Sequence, residues 1–173
     1  MNINKIISEE IDTPVGTMLA ASSPKGICLF EFLDVEKRLT RQQNHLEKSF
    51  GCKMISGTSP FLKQLKTELK EYFASKRQHF DVPLDFKGTP FQMLSWQALK
   101  KIPYGETRSY QDQAIAIKKP KAFRAVANAN NRNKISILIP CHRVIGKNGS
   151  MAGYGGEIWR KEFLLKLEGS MKN

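Results

Sequence analysis

The stretch Ile135-Ser136-Ile137-Leu138-Ile139-Pro140-Cys141-His142-Arg143-Val144 (residues 135–144) sets an apolar run directly before a thiol, an imidazole and a guanidinium. A thiolate is the strongest nucleophile that a side chain offers, and a nearby proton acceptor and positive charge favour it near neutral pH. The apolar run predicts a strand that presents Cys141 at the rim of a core. Neighbouring side chains on a strand point to opposite faces, so Cys141 and His142 can cooperate only if the chain turns or a water bridges them.

A nucleophile and its base also require a group that orients the base. The candidate is Glu168, which follows an apolar helical run and is expected to be locked into the core by Phe163, Leu164, Leu165 and Leu167. A carboxylate among apolar side chains needs a partner, and His142 is the only histidine in residues 89–173. The glycine-rich loop at 148–156 lacks the phosphate-binding pattern of nucleotide hydrolases.

Composition excludes several classes of protein. No apolar run approaches the roughly 18 residues that span a bilayer, and the acidic, alternating start does not resemble a signal peptide. Three widely spaced cysteines, Cys28, Cys52 and Cys141, match neither a disulfide framework nor a zinc motif. The sequence therefore predicts a cytoplasmic protein with no membrane association, no metal and no cofactor.

The net charge of +12 is concentrated in the second half of the chain. Residues 1–88 contain 13 basic and 11 acidic residues, whereas residues 89–173 contain 15 basic and 5 acidic residues. A strongly basic half favours a polyanionic partner, although a solubilising surface explains the same charge. The position of Cys141 in this half favours the partner.

The predicted fold class is α+β, with two domains at 1–88 and 89–173. In the first, apolar segments at 2–8, 15–22 and 27–33 predict a small antiparallel sheet, and 36–48 predicts a helix. Ser59 and Pro60 begin a further helix whose apolar face is expected to cover the sheet.

The second domain is predicted to be mostly helical. Thr89, Pro90 and Gln92 carry a capping box for its first helix. Two short helices at about 109–117 and 121–130, joined at 118–120, have the layout of a helix-turn-helix, with Ser109 and Tyr110 placed to meet phosphates. The alanine-rich second helix suits close approach to a groove or, equally, close helix packing.

These motifs together resemble the C-terminal domain of the O6-alkylguanine-DNA alkyltransferases, or methylated-DNA–protein-cysteine methyltransferases. The ordered segments that carry the resemblance are 102–107, 109–110, 123–126, 130–133, 139–146, 153–154 and 161–165, with Glu168. Residues 1–88 resemble the N-terminal domain of that family only in length and in strand-then-helix order.

The resemblance implies a single-turnover DNA repair reaction. Cys141 would take the alkyl group from O6-alkylguanine in duplex DNA after the base has left the helix. His142 would accept the thiol proton through a water, Glu168 would orient His142, and Asn133 would brace the turn before the cysteine. O4-alkylthymine stays open as a second lesion, and a monomer is expected.

The resemblance also assigns residues to DNA and to the base pocket. Arg124 would replace the extruded base, and Tyr110 would promote its rotation. The remaining DNA-binding candidates on the helix-turn-helix are Ser109, Ala122, Ala125 and Asn130. The remaining pocket candidates are Val144, Tyr154, Gly155, Gly156 and Lys161.

The sequence departs from the family pattern at several positions. Lys134 replaces a proline after Asn133, and Ala127 and Glu157 replace glycines. Gly155 stands at a variable position and leaves a roomy pocket wall.

Three other functions compete with alkyl transfer. The alkyltransferase-like binding modules lack the acceptor cysteine that this chain has. A cysteine hydrolase would need an oxyanion hole, and a helix-turn-helix regulator would leave Cys141 as a structural thiol.

Overall fold

The computed structural model describes residues 5–151 and 153–171, so residues 2–4 of the first predicted strand lie outside the described part. The chain forms two compact units, Met1–Lys87 and Gly88–Asn173. Within the described residues, no helix is both long and apolar enough to cross a membrane. The α+β prediction is confirmed, with a sheet in the first unit and a mostly helical second unit.

The first unit is built on a sheet of four strands. Strands β1 (Ile6–Thr13), β2 (Gly16–Ser23) and β3 (Gly26–Phe32) form the expected antiparallel meander. A short strand, β4 (Met54–Ser56), which the sequence did not predict, pairs in parallel with β1 to give the order β3-β2-β1-β4.

Helices cover both faces of this sheet. Helix α1 (Glu36–Phe50) buries Leu39 and Leu46 against a cluster that includes Leu19 and Leu29. Because side chains alternate along a strand, the buried residues that alternate with these point to the other face. Helix α2 (Pro60–Phe73) contacts β1, β2 and β3 there, as its apolar stripe predicted.

The second unit is organised by capped helices. Thr89 and Gln92 form the predicted capping box of α3 (Pro90–Lys100). Ser109 caps α4 (Tyr110–Ala116) in a second capping box, and α5 (Phe123–Asn131) follows after a short turn. The last helix, α6, spans Ile158–Leu167.

The predicted strand at 135–139 is wrong. These residues form a compact turn in which the Ile139 amide donates to the Ile135 carbonyl, and Ile137 has a φ of 72°. The side chains of Ile135, Ile137 and Ile139 are buried all the same. A short apolar run with every residue buried has no period that would separate a strand from a buried turn.

Two short strands, one before this turn in the sequence and one after it, pair in parallel. Strand β5 (Arg108–Ser109) pairs with β6 (Val144–Ile145), which directly follows the turn that carries Cys141. The start of α4 and the cysteine turn are therefore tied together by backbone hydrogen bonds.

One residue in the turn between α4 and α5 has a strained backbone conformation, and a substitution can test its effect on stability. Lys118 is exposed and has a φ of 59°, a left-handed conformation that costs a residue with a Cβ atom about 1–2 kcal/mol. Glycine relieves that strain but loses about 0.5–1 kcal/mol of backbone entropy on folding. We expect Lys118→Gly to stabilise the protein by about 0.5–1 kcal/mol, measured by thermal or urea unfolding.

Lys119→Gly is the matched control, because Lys119 is exposed in the same turn and has no positive φ. It should destabilise the protein slightly through the unfolded state alone. Equal effects of the two substitutions would contradict the assigned strain.

Candidate active site

Cys141 lies on a single turn of 3-10 helix, Cys141–Arg143, which begins directly after the compact turn. This turn removes the strand geometry that would have sent neighbouring side chains to opposite faces. Cys141 is 8 % exposed, so the thiol sits at the edge of the interior. The chain therefore turns at Cys141 and His142 instead of continuing as a strand.

Glu168 holds both residues that follow the cysteine. His142 Nε2 lies 2.9 Å from Glu168 Oε1. Arg143 donates from Nε to Oε2 at 2.8 Å and from Nη2 to Oε1 at 2.9 Å, while its Nη1 donates to the Ile102 carbonyl at 2.7 Å. The carboxylate is therefore bound by two side chains in the interior.

The C-terminal end of the last helix positions Glu168. Glu168 is the residue at the C-terminal end of α6 and is buried. Leu164 and Leu165 pack into the core as expected, whereas Phe163 is exposed. Two buried leucines on one turn are enough to fix the helix end.

The ion network fixes the protonation state of His142. Burial lowers the pKa of His142, and Glu168 opposes this shift without reversing it. Burial alone would raise the pKa of Glu168, but His142 and Arg143 outweigh it and hold that pKa well below its usual range. An ionised carboxylate only accepts hydrogen bonds, so the Nε2 atom carries the proton and Nδ1 keeps its lone pair.

The Nδ1 atom of His142 is the free end of this chain of contacts. No residue within 5–151 or 153–171 forms a hydrogen bond with this buried atom. A neutral imidazole with its lone pair on Nδ1 can accept a proton from a neighbouring group, directly or through one water.

Asn133 connects the compact turn to the thiol. Its Nδ2 donates to the Ile139 carbonyl at 2.8 Å and to Cys141 Sγ at 3.2 Å, while its Oδ1 accepts from the Ile135 amide at 3.0 Å. One buried side chain thus closes the turn and donates to the sulfur. These hydrogen bonds form although Lys134 replaces the family's proline directly after Asn133.

Lys161 is a buried cation beside the sulfur. Its Nζ donates to the Val144 carbonyl at 2.6 Å. Burial lowers the pKa of Lys161 to about 8, and the charge of Cys141 acts in the opposite direction. That carbonyl has a second lone pair, so Val144 can still accept a bond from a ligand.

Tyr110 and the glycine-rich loop lie next to the cysteine. Burial, with a smaller effect from the charge of Cys141, raises the pKa of Tyr110. A Cβ atom on Gly153 would lie 2.7 Å from the Tyr110 hydroxyl, so this glycine allows the loop to approach the ring. Tyr154 and Gly155 are half-buried, and Gly156 accepts a bond from Arg160 through its carbonyl.

The helix-turn-helix presents some of the predicted DNA-binding residues and buries another. Arg124 and Ala125 are exposed, and Ala122 and Ser109 are half-buried. Asn130 is buried and cannot reach a ligand surface, which corrects its predicted role.

The physical reason is an amide pair. Asn130 and Gln113 exchange hydrogen bonds at 2.7 Å and 3.0 Å and tie α5 to α4. Gln113 also donates to the Ser95 carbonyl of α3. Asn130 therefore sets the angle between the two helices.

Two features of the site were missed at the sequence level. Arg143 was noted only as a positive charge, yet it is the second partner of Glu168. A signal existed, since a buried acid with only a neutral imidazole as partner lacks a counter-charge. In addition, residues 113–156 contain eight basic residues and no acidic residue.

Comparisons with known proteins cover nearly the whole chain. The family models that match are the 6-O-methylguanine DNA methyltransferase DNA binding domain at residues 90–170 and the ribonuclease-like domain of the same proteins at residues 6–86. A methylated-DNA–protein-cysteine methyltransferase of Methanosarcina barkeri is 44 % identical over 158 residues, 91 % of this chain and 94 % of that protein. The constitutive Bacillus subtilis protein of the same name is 44 % identical over 91 % of this chain and 92 % of its own length.

Solved structures agree with the sequence matches. The Mycobacterium tuberculosis O6-methylguanine methyltransferase has a TM-score of 0.81 and 39 % identity, covering 97 % of this chain and 95 % of that one. The M. tuberculosis OGT in complex with DNA has a TM-score of 0.79 and 39 % identity, covering 96 % and 93 %. With both family models matched across it, the chain belongs to the 6-O-methylguanine DNA methyltransferase family.

Proposed function

We propose that Cys141 is the residue on which this DNA repair protein, a methylated-DNA–protein-cysteine methyltransferase, accepts the alkyl group of O6-alkylguanine. The thiolate attacks the alkyl carbon, a bond from Sγ to carbon forms, and the bond from carbon to O6 breaks. The electron pair stays with the guanine, which takes a proton to become the normal base. The thioether offers water no good leaving group, so each molecule reacts once.

The contacts of the cysteine turn support this role most directly. In one buried network, a neutral His142 keeps its lone pair on Nδ1 while Glu168 holds Nε2 at 2.9 Å. We assign His142 as the acceptor of the thiol proton through a water, and Glu168 as its orienting group. Asn133, donating to Sγ at 3.2 Å, and the Lys161 cation would stabilise the thiolate.

The helix-turn-helix supplies the proposed DNA surface. Arg124 would enter the space of the extruded guanine, and the small Ala122 and Ala125 beside it would allow close approach. Ser109 would meet phosphate at the start of α4, and Tyr110 would contact the rotated base. The absence of acidic residues between 113 and 156 supports phosphate binding by the exposed part of this segment.

The base pocket would be formed by the elements around the thiol. The Val144 carbonyl would accept from the exocyclic amine of guanine, and Tyr154 would form a wall. Gly155 would place a backbone amide near O6 and, with Gly156, leave room for larger alkyl groups.

We also propose a location and an assembly state for the protein. A reactive free thiol persists in a reducing compartment, so we place the protein in the cytoplasm, associated with the nucleoid when bound to DNA. We expect it to act as a monomer, with O4-alkylthymine as a second lesion to be tested.

The direct test of the proposed function is mass spectrometry of the protein after mixing with a duplex that carries one O6-methylguanine. We expect a gain of one methyl group per molecule, confined to the peptide that contains Cys141. Cys141→Ala should show no gain but keep lesion-selective binding, while Cys52→Ala, the control at another free thiol, should react normally. Methylation elsewhere, or full transfer by Cys141→Ala, would refute the assignment.

A second test removes the charge of Glu168. Glu168→Gln should destabilise the protein by about 3 kcal/mol, because Arg143 would stay buried without a counter-charge. It should also slow transfer about 100-fold by releasing the imidazole. Glu162→Gln, a substitution on the same helix, should change both quantities little.

The stability effect of Glu168→Gln has a defined pH dependence. The folded state favours the ionised Glu168, so its contribution is complete above the unfolded pKa of about 4.3 and falls as pH drops towards the folded value. The difference between the wild type and the variant should therefore be constant from pH 5 to 7 and shrink below pH 4. A difference independent of pH would contradict an ionised Glu168.

A third test concerns Lys161. Between the folded pKa of about 8 and the unfolded pKa near 10.4, the unfolded chain binds the extra proton, so rising pH stabilises the folded protein. Relative to Lys161→Met, the wild type should gain up to about 1.4 kcal/mol of unfolding free energy per pH unit in this range. Urea unfolding at several pH values measures the difference, and parallel curves would disprove a buried, titrating Lys161.

A further inference from the structure

Phe123 is a large apolar side chain that the core does not use. It is the first residue of α5, and its side chain is 41 % exposed. The helix packs inward through Val126 and Ala129, which are buried. The ring of Phe123 therefore has a function at the surface or none.

The surroundings of Phe123 are uniformly cationic. Lys118, Lys119, Lys121 and Arg124 are all exposed within five residues of it in the sequence. No acidic residue lies between 113 and 156. Charge complementarity favours a polyanion over an apolar protein surface as the partner of this ring.

The neighbours of Phe123 also let it project. Ala122 precedes it and Ala125 follows Arg124, so the residues that directly flank this pair are small. The two groups lie together, with the Arg124 Cζ atom 5.6 Å from the centroid of the Phe123 ring. The ring is therefore close enough to contact the same surface as Arg124.

We propose that Phe123 is an apolar wedge that enters the DNA beside Arg124 and unstacks the base step next to the extruded guanine. This inference rests on the proposed function, because it assigns Arg124 to the space of the lost base. Proteins that bend DNA insert apolar side chains between base steps in the same way, and a base face stacks favourably on an aromatic ring. The ring thus stabilises the opened duplex while Arg124 supplies the polar contact.

The test compares the rate of methyl transfer from a duplex with the rate from free O6-methylguanine. Phe123→Ala should lower the ratio of the two rates about tenfold, since the loss of the apolar side chain between the base steps affects only the duplex reaction. Phe123→Leu keeps an apolar wedge and should recover most of the ratio. Leu94→Ala is the matched control, because Leu94 is 43 % exposed on α3 and should leave the ratio unchanged.

Two kinetic outcomes would overturn the wedge. An unchanged ratio in Phe123→Ala would make Phe123 an ordinary surface residue. A loss in Phe123→Leu as large as in Phe123→Ala would mean that an aromatic ring is required and that an apolar wedge is not sufficient. Methylation of Cys141 in the wild type would stand in either case, so failure of the wedge is distinguishable from failure of the proposed function.

A spectroscopic signal supplies an independent measurement. In a Cys141→Ala background, 2-aminopurine next to the lesion should brighten on binding because the wedge unstacks it. With Phe123→Ala added, part of this increase should be lost at saturating protein, and the remainder should come from extrusion of the guanine. An equal increase in both proteins would exclude insertion of the ring.

Discussion

The buried carboxylate of Glu168 is the constraint on which the active site depends. A charge in the interior is costly unless it is paired, and here the pairing groups are the two residues that follow the nucleophile. By binding His142 and Arg143 together, Glu168 ties the end of α6 to the cysteine turn. Arg143 extends the tie to the Ile102 carbonyl after α3, so three segments distant in sequence meet at one carboxylate.

Local signals in the sequence predicted much of this fold. These signals act within a few residues of themselves: they are the apolar stripe of α2 and the capping residues Ser59, Thr89 and Ser109. Each helix begins at the residue that its capping signal predicted. Strand β4 carries no such signal, because three residues pair with β1 through the backbone alone. The turn at 135–139 depends on the side chain of Asn133, which no pattern of apolar residues reveals.

The candidate residues came from the sequence, but their contacts did not. The motifs named Cys141, His142 and Glu168, and in the structure His142 bonds to Glu168 while Cys141 accepts a hydrogen bond from Asn133. The hydrogen bond from Asn133 to the sulfur and the position of Arg143 could be seen only in the structure, because both depend on how the turn closes. Asn130 illustrates the opposite error, because a polar residue on a surface helix was read as a ligand contact although the neighbouring helix uses its amide.

The position of the acidic residues reconciles two opposing requirements of the second unit. The proposed reaction needs a carboxylate to orient its base, whereas DNA binding needs a surface that does not repel phosphate. The chain meets both by placing Glu168 inside, where Arg143 offsets its charge and His142 forms a hydrogen bond with it, and by leaving residues 113–156 without an acid. Because the thioether product is never released, this site needs no lid and no path for turnover. A buried carboxylate paired with Arg143 beneath a basic surface therefore fits a protein that reacts once.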